Sequence, residues 1–413
     1  MLPIGNSSDT SKLSRGTAVD NVTADWNYPT RILFGYGRLK DLPHCCHALG
    51  IKTPLLVTDP GLAALPLVAE AVQHCRDEGL KVAVFSDIKG NPTGSQIDTG
   101  AKAFRQGGHD GVIAFGGGSA LDAGKAIGLI ARQTVPLFEL AEPDGRLDRV
   151  DENAIAPVVA VPTTAGTGSE VGRAAVITDE LAGKKRVIFH PAIMPARVIL
   201  DPRLCAALPA ALTAATGMDA LSHNLEALCA PGFHPLAEGI AQEGIRLAFT
   251  YLPRAYDDGS DIEARAQMLV ASCMGATAFQ RGLGAMHALA HVLGALYDSH
   301  HGLLNAILMP YVLQVNRSQI CDVLERSCRY QGWANPGFDT FFEQVMKLRE
   351  SVGIPHSLAG VIENDVRAIE IGALAAVDVA AAGNPLELTA AQYSELFCNA
   401  YAGNLTTRER HRQ

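Results

Sequence analysis

The chain has little positive charge and few aromatic residues. Its 34 Lys and Arg residues are outnumbered by 43 Asp and Glu residues, which gives a formal net charge of -9 over 413 residues, and aromatic residues make up only 6%. Proteins that bind nucleic acid usually concentrate basic residues on one face, and those that bind single strands also expose aromatic rings for base stacking. We therefore expect no nucleic-acid partner.

Long apolar runs and paired cysteine motifs are also missing. The longest uncharged apolar stretch, residues 302–316, is shorter than the ~20 residues that a membrane-spanning helix needs, and no N-terminal run has the pattern of a signal peptide. The nine cysteines are odd in number and form no CxxC pair, which is typical of free thiols in a reducing compartment. These absences predict a cytoplasmic protein with no membrane partner.

The hydrophobic content of 48% is enough for a sizeable core. Residues 1–25 are polar and lack apolar periodicity, so we predict a flexible N-terminal extension. From residue 26 to about 205, short apolar runs alternate with helical segments, which is typical of a parallel sheet with helices on both faces. Five strands are predicted to be buried on both faces, and they comprise residues 53–59, 81–87, 111–116, 156–162 and 197–201.

The second half has a helical pattern. From residue 206 to 413, Ala, Leu, Met, Glu and Arg dominate, and apolar residues recur every three or four positions. The sequence thus predicts an α/β dinucleotide-binding domain over residues 26–205 and an all-helical metal-binding domain over residues 206–413. The link between them is short, so we expect a cleft between the two domains.

A glycine-rich turn follows the third predicted strand. Three glycines end at Gly118 and precede a helical pattern, and Ser119 and Asp122 fit a capping box that would start the helix just after Gly118. Backbone N–H groups at such a helix start favour a phosphate. Leu121 stands where the usual fingerprint has its third glycine, so an ordinary tight turn is the alternative.

A second loop supports the nucleotide interpretation. Residues 162–171 follow another predicted strand and are rich in Gly, Thr and Ser, whose hydroxyls and bare backbone suit a pyrophosphate or a ribose. Two such loops at strand ends of one sheet favour a nucleotide at the switch point. Asp59 ends another strand, where its carboxylate could accept from the hydroxyls of an adenosine ribose or simply cap a turn before Pro60.

Two helical pairs of potential metal ligands lie in the second half. Asp219 and His223 are four residues apart, His287 and His291 are four residues apart, and His301 follows after a short loop. Side chains four residues apart share a helix face, so a carboxylate and several imidazoles could converge on a divalent cation. Such donors suit Fe²⁺, Zn²⁺ or Mn²⁺, and the sequence does not choose among these metals.

With these motifs the chain resembles the iron-containing (group III) alcohol dehydrogenases. The resemblance covers roughly residues 28–410, and the family combines an N-terminal dinucleotide-binding α/β domain with a C-terminal all-helical metal domain. Four motifs in order carry it: GlyGlyGlySer with Asp122 and Lys125, ProThrThrAlaGlyThrGlySerGluVal (162–171), AlaAlaThrGlyMetAspAlaLeuSerHis (214–223), and GlyAlaMetHisAlaLeuAlaHis (284–291) followed by His301.

By position, the resemblance implies four metal ligands, Asp219, His223, His287 and His301, with Fe²⁺ as the family's metal. His291 matches the family histidine near the reacting centre, and it is our candidate for relaying the hydroxyl proton. Asp59 matches the adenosine-ribose carboxylate, which implies a preference for NAD over NADP. The other implied cofactor positions are Asn91, Gly117, Gly118, Ser119, Asp122, Thr163, Thr164, Thr167 and Lys185.

The resemblance implies metal-assisted hydride transfer between nicotinamide and a small primary or secondary alcohol, or the reduction of an aldehyde in reverse. Two basic residues depart from the family pattern: Arg173 follows the second loop, and Arg281 precedes His287 by six residues. Either arginine would hold an anionic group of the substrate if it faced the pocket. The alternative is that both pair with local acids or line the cofactor site.

Two other enzyme classes share this plan. A hydroxyacid–oxoacid transhydrogenase would use the same residues, so the motifs do not exclude it, whereas a dehydroquinate synthase-like lyase fits the second loop and the histidine pair less well. Residues 26–35 look like an early edge strand, through which family members often dimerise. We therefore expect a homodimer or a higher homo-oligomer.

Overall fold

The computed structural model describes residues 23–26, 30–142 and 145–405. Seven strands form one sheet in which the outermost strand is antiparallel to its neighbour and all other pairs are parallel. The described strands are β1 (Thr23–Trp26), β2 (Arg31–Gly35), β3 (Pro54–Val57), β4 (Ala83–Phe85), β5 (Gly111–Gly116), β6 (Val158–Pro162), β7 (Ala174–Asp179), β8 (Lys184–Phe189) and β9 (Arg197–Leu200). The sheet order is β1-β2-β9-β6-β5-β3-β4, and β7 and β8 form a separate antiparallel hairpin.

Side chains of the central strands alternate between two apolar clusters. In β5, Val112 and Ala114 belong to the larger cluster, whereas Ile113 and Phe115 belong to the smaller one, because successive side chains of a strand point to opposite faces. Helices cover both faces, as predicted: α1 (Leu42–Ala48) and α3 (Pro66–Asp77) on the smaller cluster, α4 (Gly94–Gln106) and α5 (Gly118–Ile130) on the larger one, with the short α2 (Pro60–Ala63) after β3.

Three details of the sheet differ from the sequence prediction. β4 is an edge strand with Ala83 and Val84 exposed, so residues 81–87 are not buried on both faces. Residues 26–35 contain β2, which is second in the sheet because β1 pairs along its outer side. β1 begins at Thr23, inside the predicted extension, and residues 1–22 of that extension lie outside the described residues.

In the described residues of the second half, no strand follows β9, which confirms the all-helical prediction. The larger apolar cluster contains both Val198 of the sheet and Leu225 of the helices, so the two halves pack on one core. None of the described helices is long and apolar enough to cross a membrane. The helices are α6 (Ala210–Cys229), α7 (Pro235–Asp257), α8 (Ile262–Ala278), α9 (Ala285–Tyr297), α10 (His301–Gln331), α11 (Phe338–Ser351), α12 (Ala368–Ala375) and α13 (Ala390–Ala402).

Candidate metal and cofactor site

The glycine-rich turn joins β5 to α5. Gly117 is the capping residue, in extended conformation, and α5 begins at Gly118 without a side-chain cap from the described residues. The predicted capping box is therefore wrong. The Ser119 hydroxyl instead donates to a backbone carbonyl of the loop before α4, and Asp122 accepts from groups elsewhere in the fold. Tertiary partners have replaced the local cap, and the first turn of α5 lines the cleft, where helix-start amides suit a phosphate.

The second loop, residues 162–171, lies against this turn. The Thr163 amide donates to the Gly116 carbonyl (2.9 Å), and a Cβ on Gly118 would lie 2.5 Å from Thr167 Cγ2. The loops meet because β5 and β6 are parallel neighbours whose carboxyl ends share one edge of the sheet. A glycine at position 118 is thus required by the close approach of the second loop.

A buried ion pair fixes the second loop to α5. Lys125 is fully buried, and its Nζ lies 3.2 Å from Asp122 Oδ1 and donates to the Ser169 carbonyl (3.0 Å). Asp122 also accepts from the Ser169 hydroxyl and from the Val176 amide (2.9 Å). Asp122, predicted to contact the cofactor, therefore lies on the cavity wall with its oxygens bound by protein donors that connect α5 to the second loop and to β7.

The cleft encloses about 770 Å³ between the end of β3 and the helical half. Asp59 lies at one end, where its Oδ1 accepts from the Leu62 amide (2.9 Å), so the carboxylate caps α2 and also lines the cleft. Both interpretations of Asp59 are thus compatible with its position. The cofactor residues predicted from the sequence that line the cleft are Asp59, Asn91, Gly117, Gly118, Ser119, Thr163, Thr164 and Thr167.

The hairpin β7-β8, which the sequence analysis did not predict, forms one wall of an adjoining cavity of about 330 Å³. Val176, Thr178 and Lys185 line this cavity, whereas the alternate residues Ile177 and Ile188 belong to the larger apolar cluster. Burial lowers the pKa of Lys185 to about 8. Because one face of the hairpin lines a cavity, its strands lack the continuous apolar run of the sheet strands, and a search for such runs does not predict them.

Four potential metal ligands meet where the two cavities join. Asp219 and His223 lie on α6, His287 lies on α9, and His301 is the first residue of α10. Donor atoms of Asp219, His223 and His287 lie within 4.8 Å of one another. His301 Nε2 lies 3.8 Å from Asp219 Oδ1, and His287 Nε2 lies 4.0 Å from the same oxygen. One carboxylate and three imidazoles at these separations suit a four-coordinate divalent cation.

Buried polar atoms also indicate that these residues fit a cation. Burial lowers the pKa of His287 and of His301 well below the ordinary value, so both imidazoles are neutral, as ligation needs. Asn305 Nδ2 lies 2.8 Å from Asp219 Oδ1, 3.1 Å from His287 Nε2 and 3.2 Å from His301 Nε2. One NH₂ group has two hydrogens and cannot serve three acceptors. Asn305 Oδ1 is itself buried without a partner among the described residues.

Two of the imidazoles have a partner at their other nitrogen. His223 Nδ1 lies 3.2 Å from the Gly166 carbonyl, which belongs to the second loop. The second loop therefore lines the cofactor cleft and also contacts the four potential metal ligands, which we call the metal group. His287 Nδ1 lies 2.6 Å from Glu226 Oε2. Burial raises the pKa of Glu226 to about 7. Partners of this kind orient a ligating histidine and select its tautomer.

Comparison with known families agrees with this geometry. Residues 29–202 match the family model of the iron-containing alcohol dehydrogenases, and residues 213–401 match the model of the C-terminal domain of the same family. The chain belongs to the iron-containing alcohol dehydrogenase family. It is therefore an oxidoreductase that acts on the CH–OH groups of alcohols, and the fold and the family inferred from the sequence motifs are confirmed.

Related dehydrogenases cover nearly the whole chain. A 4-hydroxybutyrate dehydrogenase of Cupriavidus necator is 39% identical over an alignment of 381 residues that covers 89% of this chain and 97% of the relative. An NAD-dependent methanol dehydrogenase of Bacillus methanolicus is 34% identical over an alignment of 386 residues that covers 90% of this chain and 98% of the relative. A crystal structure of 1,3-propanediol oxidoreductase has a TM-score of 0.85 at 33% identity, covering 90% of this chain and 97% of that one.

In this alcohol dehydrogenase, His291 lies beside the ligand group and lines the smaller cavity. Its ring stacks on that of His301, with centroids 5.4 Å apart and planes inclined by 14°. His291 Nδ1 lies 3.1 and 3.2 Å from the two carboxylate oxygens of Asp378, which precedes a short 3₁₀ helix after α12. A carboxylate far along the chain thus fixes the orientation of this imidazole.

The two arginines lie outside the residues that line the cavities. Arg281 Nη1 donates to the Leu228 carbonyl (2.9 Å) at the end of α6, and its Nη2 forms an ion pair with Glu238 (3.0 Å). Arg173 is exposed and packs over the Phe189 ring at 5.6 Å. The structure therefore favours local pairing for Arg281, and it places neither guanidinium on a cavity wall.

Sequence reasoning missed three side chains of this site: Glu226, Asn305 and Asp378. Glu226 follows His223 by three residues on α6, and Asn305 follows His301 by four residues on α10. Polar residues at these spacings share a helix face with a ligand, so the two residues could have been found. Asp378 is 87 residues from His291, and nothing local in the sequence connects them.

Proposed function

We propose that this protein is an NAD-dependent and divalent-metal-dependent alcohol dehydrogenase, which in reverse reduces an aldehyde or ketone. The convergence of four neutral or anionic donors at the junction of the two cavities carries the proposal. The larger cavity has the volume, about 770 Å³, and the uncapped helix start that suit a dinucleotide. The smaller cavity surrounds the point where the nicotinamide and the alcohol would meet.

The cofactor would lie with its adenosine end at Asp59. A carboxylate there accepts from ribose hydroxyls and repels a 2′-phosphate, which favours NAD over NADP. The pyrophosphate would bind the amides at Gly118 and the hydroxyls of Thr163, Thr164 and Thr167. The nicotinamide half would then lie along the hairpin wall beside Lys185.

When bound by Asp219, His223, His287 and His301, Fe²⁺, Zn²⁺ or Mn²⁺ would act as a Lewis acid towards the alcohol oxygen while the nicotinamide accepts the hydride. The chain itself handles the proton. Asp378 accepts the hydrogen at His291 Nδ1, which leaves His291 Nε2 as the base that takes the hydroxyl proton. In the reductive direction, the same nitrogen returns that proton.

The substrate that we propose is a small primary or secondary alcohol. The helical side of the smaller cavity carries apolar side chains that would contact a short carbon chain, namely Phe279, Leu283, Val379 and Ala380. A 4-hydroxybutyrate dehydrogenase is 39% identical to this chain, so an alcohol with an anionic group belongs in the test. Lys185, which lines the same cavity, is better placed to meet such a group than Arg173 or Arg281.

The experiment is an NADH absorbance assay on metal-stripped protein that is reloaded separately with Fe²⁺, Zn²⁺ or Mn²⁺. The panel contains methanol, 1,3-propanediol, 4-hydroxybutyrate and the corresponding aldehydes, with NAD and NADP compared for each. We expect turnover that disappears on stripping, returns with at least one metal and prefers NAD. Protein that binds NAD but turns over no alcohol with any metal would contradict the proposal.

That negative outcome would favour the two other enzyme classes. Tightly retained NAD with turnover only when an oxo acid is added would indicate a transhydrogenase, and a cofactor that is recycled without net NADH would indicate a lyase. A cytoplasmic location and a homo-oligomer remain part of the proposal, and the oligomer is supported by β1, which is the outermost strand of the sheet among the described residues. Sedimentation of the purified protein tests the oligomeric state.

A further inference from the structure

Glu226 is a buried acid that the sequence analysis did not single out. It lies on α6 one turn after His223, and only 6% of it is exposed. Its Oε2 accepts from His287 Nδ1 (2.6 Å) and from the Gly284 amide (2.9 Å), and its Oε1 accepts from the Met286 amide (2.8 Å). Burial of a carboxylate costs folding free energy unless such donors surround it. The three donors therefore compensate for the burial of Glu226.

The same contacts place the carboxylate at the N-terminus of α9. Gly284 caps that helix without a side-chain bond of its own, and Glu226 accepts two of the amides that the first turn leaves unpaired. The positive end of the helix dipole stabilises a negative charge there. The N-terminus of α9 therefore offsets part of the cost of burying a carboxylate next to His287.

The structure assigns to Glu226 the role of a positioning residue: its carboxylate holds the Nδ1 hydrogen of His287 and leaves Nε2 to bind the metal. This inference rests on the proposed function, since it concerns the same metal group. A carboxylate behind a ligating imidazole fixes the ring, selects the tautomer and raises the basicity of the donor nitrogen. Glu226 then sets how tightly the protein holds its cation.

Glu226 differs from the partners of the other two imidazoles. His223 Nδ1 faces the neutral carbonyl of Gly166, and His301 Nδ1 is buried without a partner among the described residues. His287 is thus the ligand whose donor strength depends on a charge. Removal of that charge should weaken metal binding more than it disturbs the cofactor cleft, which Glu226 does not line.

The test uses Glu226→Gln in the full-length protein and measures Zn²⁺ affinity by competition with a coloured chelator at fixed pH. The glutamine NH₂ must face either His287 Nδ1 or the Met286 amide, and in both orientations the charge behind the imidazole is lost. We expect the dissociation constant for Zn²⁺ to rise about 10- to 100-fold. The absorption bands of Co²⁺ in the site should shift as well, and neither readout requires turnover.

A matched control is Glu243→Gln, which removes a carboxylate paired with Arg246 on α7. This variant should bind Zn²⁺ as the wild type does. NADH affinity, followed by fluorescence, should be the same in all three proteins, because a variant with a general folding defect would lose it. Unchanged Zn²⁺ affinity and an unchanged Co²⁺ spectrum in Glu226→Gln would overturn the inference.

A second variant moves the carboxylate while keeping its charge. A Cβ on Gly284 would lie 2.9 Å from Glu226 Oε1 and 2.9 Å from Asn384 Oδ1, so Gly284→Ala must displace both side chains. We expect Zn²⁺ affinity to fall in this variant too, and wild-type affinity in both variants would count against the role of Glu226. Wild-type protein that binds no divalent cation would instead overturn the proposed function itself, which keeps the two failures distinct.

Discussion

The two parts of the candidate site are built in opposite ways. The cofactor cleft is formed by bare backbone and small hydroxyl side chains, and Gly118 is packed so closely that an added Cβ would lie 2.5 Å from Thr167. The metal group is formed by large side chains, two of which have a second protein partner behind them. The cleft should therefore be damaged by added atoms, and the metal group by removed ones.

This difference reflects the kind of protein group that each ligand binds. Phosphate groups are bound by amides that every residue carries, so the chain needs only to clear the space around them. A cation needs particular donor atoms at short, fixed distances, and a neutral imidazole keeps its geometry only while something orients it. Removal of a ligand and addition of a methyl group therefore test the two halves of this contrast.

The largest expected effect is at the metal group, in His301→Ala. Loss of an imidazole from the ligand set should exceed the roughly 100-fold effect of losing a partner behind a ligand, so kcat/KM should fall by more than about 100-fold. NADH affinity, measured by fluorescence, should change little by comparison. The exposed His44 on α1 provides the control, because His44→Ala removes the same side chain far from the site.

A smaller effect is expected in the cofactor cleft from Gly118→Ala. The added methyl group must displace Thr167, which lines the cleft, and overpacking of this kind costs about 1–3 kcal/mol. If NADH binding needs Thr167 in its original position, this cost lowers NADH affinity by about fivefold or more. Gly117→Ala is the matched control, since its Cβ would stand at ordinary contact distance, 3.4 Å, from Thr164. Zn²⁺ affinity should remain unchanged in both variants. Equal NADH affinities of the two variants would show that close approach does not govern the cleft.

Much of this arrangement could be predicted from the sequence where the signal is local. Strands such as β5 and β6 are short apolar runs. Asp219 and His223 are four residues apart on a helix, so their spacing alone predicts that they share a face. The predicted capping box of Ser119 and Asp122 was wrong because the partners of these two residues are distant in the sequence. Both residues are held by groups brought in from other parts of the chain, and these outcompeted the local contact.

What could not be predicted depends on contacts between distant segments. Asp378 reaches His291 only because the segment after α12 folds back onto α9. The hairpin β7-β8 was missed because one of its faces lines a cavity and breaks the apolar run expected of a buried strand. The potential metal ligands were thus easier to find than the residues that orient them, and the hairpin that contains Lys185 was not predicted at all.

The smallest expected effect concerns that residue, Lys185. Because burial lowers its pKa to about 8, the side chain is a cation below this pH and becomes neutral as the pH rises through it. A cation on the cavity wall attracts the anionic dinucleotide, so NADH affinity should decline by a few-fold between pH 7 and pH 9.5. A change of this size is about what the loss of one ion pair produces. Fluorescence titration at several pH values measures this decline.

In Lys185→Gln the decline should vanish, and in Lys184→Gln, which changes the exposed neighbour on the same strand, it should persist. An identical decline in Lys185→Gln would assign the pH dependence to another group and leave the hairpin wall without an electrostatic part in holding the cofactor.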